Sequence, residues 1–323
     1  MNSFDDIRAL IKSDLEKTDQ VLTDRLSSDV ALINQMSSYI IGAGGKRLRP
    51  LLLLLCARAT GYQGHHHHLM AVVIELIHTA TLLHDDIVDE SSKRRGQDTA
   101  NEVWGNAPSV LVGDFLYSRS FEMMVEPNSM EIMKILSKTT NEIAQGEVQQ
   151  LLNCQNADLT EKEYYQVIKR KTACLFQAAA QIGAILSGVD KTLQQALSDY
   201  GLHLGNAFQI IDDVLDYESD AKTLGKEVGD DLNEGKTTMP MIYAIANTDG
   251  DKKHLLKEAI NNADSSQIEE ILDILNSVNA FEYTRQKAKD ESDYAKAALQ
   301  TLPDSEYKEA LLLLSELSLK RKS

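Results

Sequence analysis

The sequence predicts an all-α fold. Apolar residues recur at three- and four-residue spacing through long stretches, only five prolines fall in 323 residues, and the strong helix formers Ala, Leu, Glu, Gln and Lys abound. A hydrophobic content of 43% is ample for a sizeable buried core.

In chain order, the spacing predicts long helices over 7–41, 51–88, 110–125, 132–152, 164–186 and 193–217, then amphipathic helices over 266–278, 281–302 and 306–319. Turn residues gather between them at 42–45, 61–64, 105–108, 127–128, Gly188 and 225–235. The four histidines His65 to His68 follow such a break, and an exposed loop is expected there. No low-complexity linker divides the chain and no period of 20 to 50 residues recurs, so one all-helical domain over 1–323 is expected.

Composition narrows the function. Three cysteines, Cys56, Cys154 and Cys174, lack the number for a disulfide framework and the spacing for a zinc site, which points to a reducing, cytoplasmic setting. The first fifteen residues mix acids and bases unlike a signal peptide, and the longest apolar run, 51–57, is far short of the roughly 18 residues that span a bilayer. No stable membrane insertion is expected. A formal charge of -16 argues against nucleic acid as a partner. An anionic substrate would therefore need local cations or metal ions.

Two copies of Asp-Asp-x-x-Asp stand out, at Asp85, Asp86 and Asp89 and at Asp212, Asp213 and Asp216. At 100° and about 1.5 Å per residue, Asp85 and Asp89 lie within about 40° of each other and about 6 Å apart, while Asp86 points about 100° away. Carboxylate oxygens at that spacing suit Mg²⁺, with coordination positions left for phosphate. The run from Ala71 to Leu83 is nearly all apolar or small, and Glu90 follows the motif. Four acids thus crowd a helix C-terminus that is already negative, an arrangement that favours a bound cation. His78 lies two turns earlier on the same face, within reach of a diphosphate; His84 reads as structural. Asp212 and Asp216 share a face in the second copy, with Gln209 one turn before, and two such helices facing each other would hold several Mg²⁺ ions around one diphosphate.

Basic residues cluster at Lys46, Arg47 and Arg49, at Lys93, Arg94 and Arg95, at Lys169, Arg170 and Lys171 before Thr172, and later at Lys226 and Lys236. They read as placed near turns. The first two clusters adjoin glycines, whose backbone approaches an anion closely, and arginine offers a planar fork to phosphate oxygens.

Gly-Gly-Lys-Arg-Leu-Arg-Pro, His-Thr-Ala-Thr-Leu-Leu-His-Asp-Asp-Ile-Val-Asp-Glu-Ser with Arg-Arg-Gly, and Gln-Ile-Ile-Asp-Asp-Val-Leu-Asp-Tyr together resemble the trans-isoprenyl diphosphate synthases over nearly the whole chain. Ile-Ile-Gly-Ala-Gly-Gly-Lys, Ser-Val-Leu-Val-Gly-Asp-Phe-Leu-Tyr and Gly-Lys-Glu-Val-Gly-Asp-Asp-Leu-Asn-Glu-Gly-Lys are most similar to the bacterial members that build octaprenyl chains. The resemblance implies a helical bundle around a deep central cavity, a homodimer, and sequential condensation of isopentenyl diphosphate onto an allylic diphosphate such as farnesyl diphosphate, for quinone side chains. It places two or three Mg²⁺ ions in each active site. Asp85, Asp89, Asp212 and Asp216 would hold them, with Asp86, Asp213 and Lys171 in the catalytic set. Arg94, Lys171, Thr172, Gln209, Lys226 and Lys236 would bind the allylic diphosphate, and Lys46, Arg49, His78 and Arg95 isopentenyl diphosphate.

Relatives with short products tend to carry an aromatic residue where this chain has Ala80 and Thr81, so the resemblance also implies an open tunnel and a long product. Phe121, Met123 and Met124 lie at helical spacing that suits core packing as well as a tunnel floor. Three alternatives stay open: a synthase of the same family with a shorter or longer product, a class I terpene cyclase, which needs no second diphosphate site, and a non-catalytic helical partner, in which the acids only solubilise helix ends.

Overall fold

A computed structural model of the protein describes residues 1–42, 44–94, 96–218 and 228–321. Arg95 and Lys226 lie outside these. The described helices are α1 (Phe4–Leu10), α2 (Lys12–Leu26), α3 (Ala31–Gly42), α4 (Leu48–Ala59), α5 (His66–Val88), α6 (Ala100–Trp104), α7 (Asn106–Met124), α8 (Met130–Asn153), α9 (Glu161–Ile168), α10 (Cys174–Leu186) and α11 (Lys191–Glu218). After these come α12 (Asp230–Asn233), α13 (Met239–Ala246), α14 (Gly250–Asn262), α15 (Ile268–Ser277), α16 (Ala280–Ala298) and α17 (Glu306–Leu319). Among the described residues the only strands are β1 (Lys93–Arg94) and β2 (Gln97–Asp98), an antiparallel pair turning through Gly96 at φ +75°. The fold is all-α, as expected.

The chain divides into two compact units. The first comprises Met1–Thr140, Leu175–Gly201 and Ala298–Leu314; the second comprises Asn141–Cys174, Leu202–Ala297 and Ser315–Ser323. In the first unit α5 packs against α7, α4 and α2. Helix α4 is buried on every side from Pro50 to Ala57, and α5 from His67 to Ile74, which explains why both read as unbroken apolar runs rather than stripes. Each fully buried Leu or Ile there contributes about 1.5–3 kcal/mol.

Gly183 lets α10 lie against α4, because a Cβ there would stand 2.8 Å from both the Leu53 carbonyl oxygen and the Cys56 Cβ, and 2.9 Å from the Ala57 nitrogen. Backbone atoms cannot step aside. Gly183→Ala is therefore expected to destabilise by about 1–3 kcal/mol, measurable as a lower urea midpoint with an unchanged slope.

In the second unit one core joins Val214, Tyr217, Leu232, Leu256, Ile271 and Phe281. A second, around Tyr164, Ile210, Ile211 and Met239, underlies the acidic stretch of α11. Helix α9 opens with a capping box, in which the Thr160 hydroxyl accepts from the Glu163 backbone and the Glu163 carboxylate accepts from the Thr160 backbone. Its first residue, Glu161, accepts from Lys287 and from the Tyr283 hydroxyl, each at 2.7 Å. Burial raises the Glu161 pKa, but those bonds outweigh it and hold the carboxyl below its usual value of 4.5. A depressed folded pKa gives stability that is present above pH 4.5 and lost as pH falls through the lower folded value. The group is about a third exposed, so Glu161→Gln should cost about 0.5–1 kcal/mol at neutral pH, shrinking toward zero in acid. Paired denaturation curves at the two pH values check this.

Four expectations need correction. The stretch 7–41 is three helices, broken at Ile11 and around 27–30, where the Ser28 hydroxyl accepts from the Val30 backbone and the Asn34 amide donates to the Ser28 carbonyl. Side chains there compete for backbone partners, which periodicity does not register. The histidine run is no exposed loop: His66 begins α5, and His67 and His68 are buried against Asp14. Lys169 to Thr172 do not flank a turn but form a π-helical turn (Lys169–Ala173) between α9 and α10. Helices α13 and α14 were missed, the first being short and the second running over the polar stretch 250–262.

Candidate active site

Helix α5 delivers the first acidic motif. Its last helical residue is Val88; Asp89 is the C-cap, its N–H donating 2.8 Å to the Asp85 carbonyl, and Glu90 turns at φ +51°. Asp85 and Asp89 are half-buried while Asp86 is 5% exposed, which matches the helical geometry. Asp86 accepts 2.7 Å from Nε of Arg94 on β1. Its carboxylate is thus held by the hairpin and turned from the face of Asp85.

Lys46 is exposed just before α4, and Arg49 sits in that helix's first turn. There the helix dipole adds positive potential. Arg47 between them caps α4 in the left-handed conformation, φ +45°, and pairs with Asp19 at 2.5 Å. The Arg49 guanidinium lies over the Phe176 ring, 4.5 Å from its centroid, with Nη1 3.0 Å from His78 Nε2. Arginine only donates, so this contact assigns the lone pair to Nε2 and the proton to Nδ1 of His78. A cavity in this unit is lined by Gly44, Glu75, His78, Leu83, Asp86 and Arg94. Ala80 is 1% exposed, and the Thr81 hydroxyl donates 2.8 Å to the His78 carbonyl. Met123 and Met124 are buried, whereas Phe121 is exposed. His84 Nε2 lies 3.3 Å from the Val110 carbonyl, a contact between α5 and α7.

In the second unit α11 presents Asp212 and Asp216 half-buried and Asp213 at 2% exposure. Asp213 accepts 2.5 Å from the Tyr164 hydroxyl and 3.0 Å from the Gln209 amide, whose oxygen accepts 2.8 Å from Thr172. Burial, then the charges of Asp231 and Asp212, push the Asp213 pKa up. A nearby cation would oppose both effects by favouring the ionised carboxylate. Asp212 pairs with Arg321 at 2.9 Å, and Asp216 accepts 3.3 Å from the Asp231 backbone. Lys171 sits in the π-helical turn, bonded to Glu147 at 2.6 Å, and Gly146 admits that turn because a Cβ there would stand 2.8 Å from the Lys171 nitrogen. Lys236 pairs with Glu234. Lys171, Thr172, Gln209, Asp213, Asp231 and Lys236 line one cavity.

Of the expected residues, the first unit gathers Asp86, Arg94 and His78 on one cavity with Arg49 against His78. The second gathers Lys171, Thr172, Gln209, Asp213 and Lys236. Tyr164, Asp231 and Arg321 were missed. The Asp230-Asp231 doublet was the one readable signal; nothing in the sequence aims Tyr164 at Asp213 or Arg321 at Asp212.

A family model described as polyprenyl synthetase matches residues 30–278. The chain belongs to the polyprenyl synthetase family. It is 47% identical over 320 residues to octaprenyl diphosphate synthase of Escherichia coli, covering 99% of each chain. It is also 45% identical to an all-trans-nonaprenyl-diphosphate synthase (geranyl-diphosphate specific) of Rhodobacter capsulatus, covering 98% of this chain and 97% of that one. A polyprenyl synthase from Caulobacter crescentus, solved with calcium and isoprenyl diphosphate, matches with TM-score 0.96 and 42% identity over 100% of this chain and 99% of the other. This polyprenyl synthetase is a prenyltransferase. No helix among the described residues is long and apolar enough to cross a membrane.

Proposed function

We propose that this enzyme extends farnesyl diphosphate by repeated trans condensation with isopentenyl diphosphate to an octaprenyl chain, which serves as a quinone side chain. The observation that carries the reading is a pair of half-buried carboxylates one helical turn apart in each unit, Asp85 with Asp89 and Asp212 with Asp216, each on a helix that also borders a cavity with cationic side chains. The similarity to the Escherichia coli octaprenyl synthase supports the product length. The Rhodobacter nonaprenyl relative favours nine units as the second reading.

The four carboxylates are the oxygen donors that Mg²⁺ takes, and the raised pKa of Asp213 marks a place where a cation is electrostatically favoured. When bound, two or three Mg²⁺ ions would neutralise the charge that develops on the departing diphosphate. The chain's own groups do the rest. Lys171, Thr172, Gln209 and Lys236 hold the allylic diphosphate, with Arg94 keeping Asp86 oriented. Lys46, Arg49 and His78 hold isopentenyl diphosphate. Tyr164 and Gln209 fix the Asp213 carboxylate. Buried Ala80 and Leu83 exclude water from the cation left by ionisation.

The allylic role of Lys226 and the isopentenyl role of Arg95 fall outside the described residues. A homodimer is also proposed, supported by Leu111, 68% exposed on α7, and Met130, 75% exposed on α8. Three free cysteines accord with a cytoplasmic setting.

The test is incubation with Mg²⁺, labelled isopentenyl diphosphate and farnesyl diphosphate, followed by chromatographic sizing. An eight-unit product that disappears with chelator is expected. Nine units would select the second reading, and a cyclised hydrocarbon or no product would reject both.

A further inference from the structure

Asp14 on α2, Arg58 on α4, and His67 and His68 in the first turn of α5 meet in the first unit, away from the acidic motif at the other end of α5. All three prospective ligands are buried: Asp14 is 5% exposed, His67 0% and His68 6%. Nε2 of His67 lies 3.1 Å from Asp14 Oδ1, and Nε2 of His68 lies 2.9 Å from the same oxygen. Arg58 already donates to both carboxylate oxygens, Nη2 to Oδ1 at 2.5 Å and Nε to Oδ2 at 2.7 Å. Three nitrogens thus converge on Oδ1, which has two in-plane lone pairs. The guanidinium already neutralises the carboxylate, and at least one imidazole nitrogen is surplus there as a hydrogen-bond donor.

We propose that Asp14, His67 and His68 form a separate metal site that takes one divalent ion of the zinc class. The three ligand atoms lie within 4.8 Å of one another. Tetrahedral metal bonds of about 2.0–2.2 Å place neighbouring ligand atoms about 3.3–3.6 Å apart, so the 3.1 Å and 2.9 Å separations from Asp14 Oδ1 need to open by about 0.2–0.7 Å. Two imidazole nitrogens with one carboxylate oxygen suit Zn²⁺, Co²⁺ or Ni²⁺ and not Mg²⁺, which keeps this site chemically distinct from the aspartate motifs.

Arg58, kept on Oδ2, would orient the carboxylate as hydrogen-bonded partners of metal ligands do. Because Arg58 already balances Asp14, the ion's charge is not neutralised, and affinity should fall below that of thiolate zinc sites. The bound ion would tie α2 to the start of α5.

The test uses the full chain without an affinity tag, stripped of metal, then titrated with Co²⁺ in excess Mg²⁺ to suppress binding at the aspartate motifs. One equivalent is expected, with the visible spectrum of nitrogen- and oxygen-bound Co²⁺, displaced by Zn²⁺, which also raises the melting temperature. His67→Gln and His68→Gln should each weaken binding at least tenfold, and the double variant His65→Gln/His66→Gln should retain it. Absence of a bound equivalent in the wild type, its survival in both single variants, or its loss in the double variant would overturn the proposal. Should a single variant fail to fold, X-ray absorption of the wild-type Co²⁺ form decides: imidazole scattering supports the site and an all-oxygen shell refutes it.

Discussion

Asp85→Ala is expected to lower kcat/KM on the order of 10²- to 10³-fold, about 3–4 kcal/mol of transition-state stabilisation. The leaving diphosphate gathers negative charge in a protein of net charge -16, and on the proposed reading cations held by the aspartates would make that tolerable. Asp85 is half-buried at the end of α5, so its removal should spare the fold, whereas Asp86→Ala would leave Arg94 without the carboxylate it contacts. Asp212→Ala should act like Asp85→Ala. Steady-state rates across a Mg²⁺ titration, with circular dichroism as a control, check both. A rate near wild type at ordinary Mg²⁺ concentrations would remove the metal role from these residues.

Ala80→Phe is expected to shift the product from a long chain to a short one. Ala80 is five residues before Asp85 and 1% exposed, so a phenyl ring there must displace neighbours or block a growing chain. Overpacking of this kind costs about 1–3 kcal/mol of stability, which a folded protein of ordinary stability survives. Thr81, one turn before Asp85 on nearly the same face, has its hydroxyl engaged by the His78 carbonyl, so the polar group adds little to any apolar wall beneath it. Product chromatography is the readout. An unchanged length distribution with turnover intact would show that Ala80 does not limit length.

Much of this was legible in the sequence because helical geometry acts locally. The 100° step separated Asp85 and Asp89 from Asp86, and the structure buries only Asp86, with Arg94 upon it. The same step distinguishes buried Asp213 from half-buried Asp212 and Asp216. What stayed hidden depends on contacts distant in sequence. Tyr164 reaches Asp213 across 49 positions, and Asp14 meets His68 across 54. A histidine run looks hydrophilic until a buried carboxylate and arginine give it partners. The π-helical turn holding Lys171 and Thr172 is likewise invisible to a 3.6-residue period, since it inserts one residue without breaking the apolar pattern.

The central proposal is that each aspartate pair holds divalent ions. It is tested most directly by a crystal structure with Mn²⁺ and a non-ionisable allylic diphosphate analogue, with anomalous scattering locating the metal. Anomalous peaks within metal–oxygen bonding distance of Asp85 and Asp89, and of Asp212 and Asp216, are predicted. An ordered analogue whose metals bypass either aspartate pair would contradict it.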